Sequence, residues 1–84
     1  MTNYKKIILC ETDDGSPVVA ICPSTEIVGE GDLISINGGN LVVAQQSEYI
    51  DTESVDYKIL DAVTVIYEAE EIYRLKWKRE DAND

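Results

Sequence analysis

Lys58 is the one residue in the middle of the chain with the chemistry of a catalytic base, because the sequence contains no histidine. A serine or cysteine nucleophile needs a neighbouring base to accept its proton. Nothing else in the sequence marks Lys58 for this role, and a solvated strand lysine is the simpler interpretation. The sequence therefore predicts that the chain is not an enzyme.

Paired carboxylates have the chemistry to bind Mg²⁺ or Ca²⁺. The pairs in this sequence are Asp13 with Asp14, Asp51 with Glu53, and Glu70 with Glu71. None of them has the ligand spacing of a calcium-binding loop. Two cysteines without histidine do not make a structural zinc site. We expect a solvated acidic surface, no metal and no cofactor.

The charge of the chain is distributed unevenly. The net charge is −10, and the segment from Glu11 to Glu71 contains fourteen acids and one base. Such a segment repels nucleic acids and anionic lipid and attracts basic proteins. We expect a basic protein surface as the partner. The acids expected to contact that surface are Asp13, Asp14, Glu48, Asp51, Glu53 and Asp56.

Bases are concentrated near the C-terminus, where Arg74, Lys76, Lys78 and Arg79 surround Trp77. Aromatic side chains among cations can stack on nucleic-acid bases and hold phosphates. Alternatively, one face of this segment packs into the core while the lysine stems cover its edge. The acidic remainder favours the second interpretation, so we expect no direct DNA or RNA binding.

The apolar segments of the sequence are short. The longest apolar runs fall far short of the ~20 residues that span a bilayer. The apolar stretch near Met1 is also too short for a signal peptide. We therefore expect a cytoplasmic protein without membrane contact.

The N-terminal residues have the pattern of a β-hairpin. Tyr4–Glu11 and Pro17–Cys22 are rich in β-branched residues, and Asp14-Gly15 between them favours a type I′ turn. This turn predicts that Cys10 lies opposite Val19, so the two cysteines are not cross-strand partners. We expect free thiols that pack as small hydrophobic groups.

A second hairpin follows a glycine-containing loop at Pro23–Asp32. Leu33–Asn37 alternates apolar and polar residues, Gly38-Gly39 suits a tight turn, and Asn40–Gln46 returns as the partner strand. The polar stretch Ser47–Ser54 predicts a loop.

The C-terminal part carries further strand signals. Val55–Tyr67 contains strand material, most clearly at Ala62–Tyr67. Glu68–Arg79 fits a strand or a helix, and its strict alternation favours the strand. We expect one domain over residues 1–80, followed by a disordered tail at 81–84. The predicted fold is mainly β, a small barrel or rolled antiparallel sheet of five to six strands, with a short C-terminal helix as the alternative for the last segment.

Three segments together resemble part of the β-rich peptidase domain of the LexA-like repressors. They are Gly31–Ile36, Leu41–Ala44 and Tyr57–Leu60. In that family a Gly-Asp-hydrophobic strand and a Val-Val-Ala segment precede the catalytic lysine. The chain has no counterpart of the family's serine motif or of its DNA-binding helical domain, and the spacing to Lys58 is long. The resemblance implies a similar strand layout and not the activity.

These observations give three ranked hypotheses about function. The first is a non-enzymatic acidic protein-binding module, such as a phage or mobile-element inhibitor, that occupies the basic groove of a nucleic-acid-binding protein. The second is a structural subunit, either a phage-particle component or a homo-oligomer. The third is a LexA-like peptidase-type β domain without clear catalytic residues.

Overall fold

A computed structural model describes residues 4–74 of the chain. The elements in chain order are β1 (Tyr4–Glu11), β2 (Pro17–Pro23), β3 (Leu33–Ile36), β4 (Asn40–Asp51), α1 (Val55–Val63), β5 (Ile66–Glu68) and β6 (Glu71–Tyr73). The prediction of a mainly β fold is confirmed, with six strands in one sheet. Within residues 4–74, no helix is long and apolar enough to cross a membrane.

The sheet has the strand order β5-β2-β1-β4-β3-β6 and is not closed into a barrel. The β2–β5 pair is parallel, whereas the other four described pairs are antiparallel. The sheet is therefore mixed and not wholly antiparallel as predicted. The pairings make β4 and β5 run in the same direction, so the chain between them must cross over the sheet. This requirement explains the helix α1, because parallel strands need a crossover connection that is usually helical.

One face of the sheet forms the core. Its fully buried side chains are Ile8, Cys10, Ala20, Cys22, Ile34, Ile36, Val42 and Ala44. Alternate residues of a strand point to the same face, and these eight side chains follow that period. On the opposite face Ile7, Val19 and Ile21 are also buried. The chain between β5 and β6 connects the two edges of the sheet. Ala69 N–H donates to Ile21 O at 2.9 Å and Glu70 N–H to Ser35 O at 2.8 Å, which rolls the sheet around the core.

The first hairpin forms where the sequence predicts it, but with a different turn. Glu11 pairs with Pro17 and Cys10 with Val18, so the prediction that Cys10 lies opposite Val19 is wrong by one residue. The connection has three residues between Thr12 and Ser16, with Gly15 at φ +85°. Ser16 N–H donates to the Thr12 hydroxyl at 3.1 Å, and this side-chain bond favours the longer loop over a type I′ turn.

Both cysteines are buried free thiols, as the sequence predicts. Cys10 Sγ donates to Ile8 O at 3.6 Å. Burial raises the pKa of the Cys10 thiol to about 11. The thiols therefore act as small hydrophobic groups of the core.

The second hairpin is confirmed, but β4 is longer than predicted. Gly38 and Gly39 occupy the turn at φ +84° and +105°, conformations that L side chains rarely adopt. The predicted loop at Ser47–Ser54 is wrong over its first part, because β4 continues to Asp51 opposite Tyr4. The long strand β1 supplies a partner along this whole length, which overrides the low β-propensity of the polar residues.

The strand predicted within Val55–Tyr67 is wrong over Val55–Val63, which forms α1. Ser54 caps the helix, since its hydroxyl accepts a bond from Tyr57 N–H at 3.2 Å. The strand that follows is limited to Ile66–Glu68. The cap and the crossover connection outweigh the β-propensity of valine and isoleucine in this segment.

The last described strand supports the alternation seen in the sequence. Glu71–Tyr73 pairs with β3 as a strand, so the helix considered for Glu68–Arg79 is absent from its described part. Residues 75–84 lie outside the described residues. This range includes Trp77, the three bases next to it and the tail predicted to be disordered.

Candidate functional site

The six acids predicted to bind a partner lie in two places rather than one. Asp13 and Asp14 are in the loop between β1 and β2, at one end of β1. Asp51 pairs with Tyr4 at the other end of β1. At about 3.4 Å per residue, this strand separates the two places by roughly 24 Å. Glu53 and Asp56 follow Asp51 at this end, whereas Glu48 pairs with Ile7 near the middle of β1.

Asp13 and Asp14 border a cleft of about 800 Å³ between the two hairpin turns. The floor of the cleft is apolar and includes Ile36, Val42 and Tyr67. The carboxylate of Asp14 accepts bonds from the Thr12 hydroxyl and from Ser16 N–H, and these bonds lower the pKa of Asp14 below its ordinary value. Both Asp13 and Asp14 are exposed, but the carboxylate of Asp14 stabilises its own turn.

Three of the other four acids, Asp51, Glu53 and Asp56, lie at the junction of β4 and α1. Asp51 Oδ1 accepts a bond from Glu53 N–H at 2.9 Å, and Asp51 O accepts one from the Ser54 hydroxyl at 2.7 Å. These bonds shape the start of the helix. Glu48, Glu53 and Asp56 are exposed residues.

The outer side of α1 exposes a row of apolar side chains, which we call the α1 stripe: Val55, Ile59 and Val63. They are 70%, 57% and 74% exposed, and none of the nine residues of the helix is buried. Residues spaced by four positions lie on one face of a helix. Contiguous exposed apolar surface is typical of interaction sites.

The inner side of α1 lies loosely against the sheet. Tyr57, Leu60 and Thr64 are half-buried. A cavity of about 300 Å³ is lined by Tyr57 together with Ile21 of β2 and Ile66 of β5. The helix therefore leaves space between itself and this part of the sheet.

Two exposed acids, Asp56 and Asp61, lie on the same helix as the α1 stripe, and Glu53 precedes it. At about 100° per residue, Asp56 lies beside the α1 stripe, exposed Lys58 lies on its other flank, and Asp61 lies about 160° away from it. The combination fits a partner surface that is both apolar and basic. Glu53 and Asp56 belong to the predicted set of partner-binding acids, whereas Asp61 does not. The stripe was missed because this segment was interpreted as a strand, in which its residues do not form one row.

Glu70 is the carboxylate with the largest structural role that the sequence did not indicate. It accepts bonds from Gly38 N–H at 2.9 Å, the Ser35 hydroxyl at 3.0 Å and Gly39 N–H at 3.1 Å. These bonds, that of Gly38 first, lower the pKa of Glu70 below its ordinary value. Its partners are more than thirty residues away in the sequence, so no local pattern could have found them.

Arg74 binds the loop between β2 and β3. Its guanidinium donates to Glu26 Oε1 at 2.9 Å and to Ile27 O at 2.8 Å. Asp32 is fully buried and accepts a bond from Gly29 N–H at 2.8 Å. Both residues fix the loop between β2 and β3.

Lys58 lies exposed on α1 and not in a strand. Its position on a helix also departs from the strand layout that the LexA-like resemblance implied for Tyr57–Leu60. Within residues 4–74, no three acidic, cysteine or histidine side chains are grouped to hold a metal ion.

No protein-family model matches the sequence, and no curated protein or solved structure shows significant similarity to it.

Proposed function

We propose that the chain is a non-enzymatic, cytoplasmic protein-binding module that occupies the basic groove of a nucleic-acid-binding protein, as an inhibitor from a phage or mobile element does. The observation that carries the proposal is the α1 stripe, three exposed apolar side chains on a helix that also exposes Asp56 and Asp61. The partner contributes cations around an apolar patch. The interface includes Asp51 and Glu53 at the start of the helix and Glu48 of β4.

The charge of the described residues supports a basic partner. Residues 4–74 contain fourteen acids and four bases, and one of these bases, Arg74, is paired with Glu26. A field of one sign accelerates association with an oppositely charged protein, and salt screens this effect. Electrostatic attraction then accelerates the association of the two proteins. Burial of the α1 stripe stabilises the complex by about 1.5–3 kcal/mol for each valine or isoleucine that is fully removed from water.

The test begins with affinity capture from extracts of the native host at low and high salt. We expect a basic protein that is captured at low salt and released at high salt, and that nucleic acid displaces from the module. A captured protein whose affinity is insensitive to salt contradicts the proposal. A partner that binds nucleic acid and the module simultaneously contradicts occupation of the groove.

Two matched pairs of variants locate the interface on the purified partner. Ile59→Asn removes a side chain of the α1 stripe that is 57% exposed, whereas Ile27→Asn changes an isoleucine that is 55% exposed in the β2–β3 loop. We expect the first to weaken binding by about tenfold or more, as central interface residues do, and the second to leave it unchanged. Asp56→Lys and Asp13→Lys alter the net charge equally. We expect Asp56→Lys to weaken binding more than Asp13→Lys. Equal effects of the two substitutions would contradict an interface at α1.

The α1 stripe also favours a second candidate, an assembly subunit that buries the stripe between copies of the chain. The charge of −10 on each copy opposes this arrangement. Light scattering at increasing concentration and at high salt distinguishes the two. A strict monomer under both conditions contradicts the assembly candidate.

A further inference from the structure

Among residues 4–74, the second half of β4 has a backbone partner on one side only. β3 pairs with β4 from Asn40 to Val43, and Ala44 bonds with the backbone of Gly31 and Asp32. From Gln46 to Ile50, β4 pairs with β1 on one side, and among the described residues no backbone group bonds its other side. We call this segment, Gln46–Ile50, the open edge.

The open edge is long enough to accept another strand. Its five residues extend about 17 Å, close to the length of an ordinary strand. An unpaired strand edge presents alternating N–H and C=O groups that a second extended chain can pair with. The open edge also leads directly into Asp51 and the start of α1, where the exposed acids of the proposed interface lie.

The side chains of the open edge carry negative and no positive charge. Glu48 is exposed and its carboxylate accepts a bond from Gln46 Nε2 at 3.1 Å. Tyr49 is 66% exposed, and its ring lies 5.2 Å from the ammonium of Lys6. The ammonium of Lys6 is in turn bonded to Glu26 O at 2.6 Å. Lys6 pairs with Tyr49 and so lies on the face opposite to Glu48, whereas Lys5, which pairs with Ile50, shares the face of Glu48.

We propose that an extended cationic segment of the partner protein binds as an additional strand along the open edge. This inference rests on the proposed function and specifies how the basic partner is held. Main-chain bonds to the open edge give affinity, and lysine or arginine at alternate positions of the added strand lies beside Glu48. Cross-strand pairs of opposite charge stabilise such a pairing.

A second copy of the chain is a poorer occupant of the open edge than a cationic segment. Two copies that pair antiparallel about the centre of Gln46–Ile50 place Glu48 directly opposite Glu48 of the other copy. Like charges at directly opposite positions destabilise a strand pair. The charge of −10 on each copy adds to this repulsion.

The test uses a synthetic ten-residue peptide of alternating lysine and threonine, and the same peptide with every backbone nitrogen methylated. The two have equal charge, but the methylated peptide has no backbone donors. We expect the unmethylated peptide to bind at low salt about tenfold tighter or more, and to slow amide hydrogen exchange within Gln46–Ile50. Glu48→Lys should weaken its binding more than Asp13→Lys, which makes the same change of charge at the far end of β1.

Each other outcome has a definite meaning. Equal binding of both peptides without protection of the open edge overturns strand addition and leaves the acidic binding module intact. If neither peptide binds at low salt, strand addition and the proposed electrostatic attraction both fail. Protection of the open edge that increases with protein concentration in the absence of peptide assigns the edge to a second copy and overturns the proposed occupant.

Discussion

The two ends of the sheet use the same residue type for different purposes. At the turn between β3 and β4, the carboxylate of Glu70 accepts three bonds and joins the β5–β6 connection to the Gly38-Gly39 turn. On α1, at the other end, the acidic side chains of Asp56 and Asp61 are exposed. An acidic composition therefore does not identify a binding surface, because some carboxylates hold the fold and others are accessible to a partner.

The apolar side chains show the same contrast. The face of the sheet around Ile8 and Ile34 excludes water completely, whereas Ile59 on α1 is more than half exposed. Burial on folding stabilises the first group, and the second group gains burial when a partner binds. The sheet is thus the stable part of the chain, and α1 is the part whose apolar surface remains available.

The strongest test of this contrast makes the same substitution in both regions. We expect Ile8→Ala to lower the free energy of unfolding by about 2–5 kcal/mol, since it leaves a cavity in the core. We expect Ile59→Ala to change it by less than about 0.5 kcal/mol, as surface substitutions do. Urea denaturation followed by fluorescence measures both. Similar losses would show that α1 is packed as firmly as the sheet.

Much of the sheet was predictable because its signals are local. The β-branched residues of Tyr4–Glu11 and Pro17–Cys22, the alternation of Leu33–Asn37 and the glycines between the hairpin strands predict the first four strands, although β4 extends beyond its predicted end at Gln46. The wrong predictions lie in segments whose secondary structure depends on contacts with residues distant in the sequence. β4 extends to Asp51 because β1 is there to pair with it, and Val55–Val63 becomes a helix because β4 and β5 must be joined by a crossover.

The candidate site was predictable in charge but not in geometry. The fourteen acids are visible in the sequence, yet only the pairing of β1 with β2 and β4 shows that Asp13 and Asp51 lie at opposite ends of one strand. The α1 stripe depends on recognising the helix, and the role of Glu70 depends on contacts across the fold. Whether a carboxylate is hydrogen-bonded within the fold depends on its neighbours in space. A single sequence does not show those neighbours.

A smaller effect is expected from removing the cap of α1. Ser54→Ala deletes the hydroxyl that accepts the bond from Tyr57 N–H and donates to Asp51 O. Loss of such a cap costs about 1 kcal/mol of helix stability. Because α1 packs loosely, we expect faster amide exchange within Val55–Val63 while the core amides of β1 and β2 retain their protection. Equal acceleration in the sheet would mean that helix and sheet unfold as one unit.

The smallest effect is expected at Glu70, whose exposed carboxylate is partly screened by water. The bonds from Gly38, Ser35 and Gly39 favour the ionised form and place the pKa of Glu70 in the folded chain below the ordinary value of 4.5. Its contribution to stability is therefore complete above that value and is lost as the pH falls through the folded pKa. We expect Glu70→Gln to lower the urea midpoint at neutral pH and to approach the parent protein in acid. Ser35→Ala, which removes one of the three donors, should lower the midpoint less. If the difference in urea midpoint between Glu70→Gln and the parent stayed constant from neutral to acidic pH, the carboxylate charge would not stabilise this turn. The contrast between the two ends of the sheet would then rest on the apolar side chains alone.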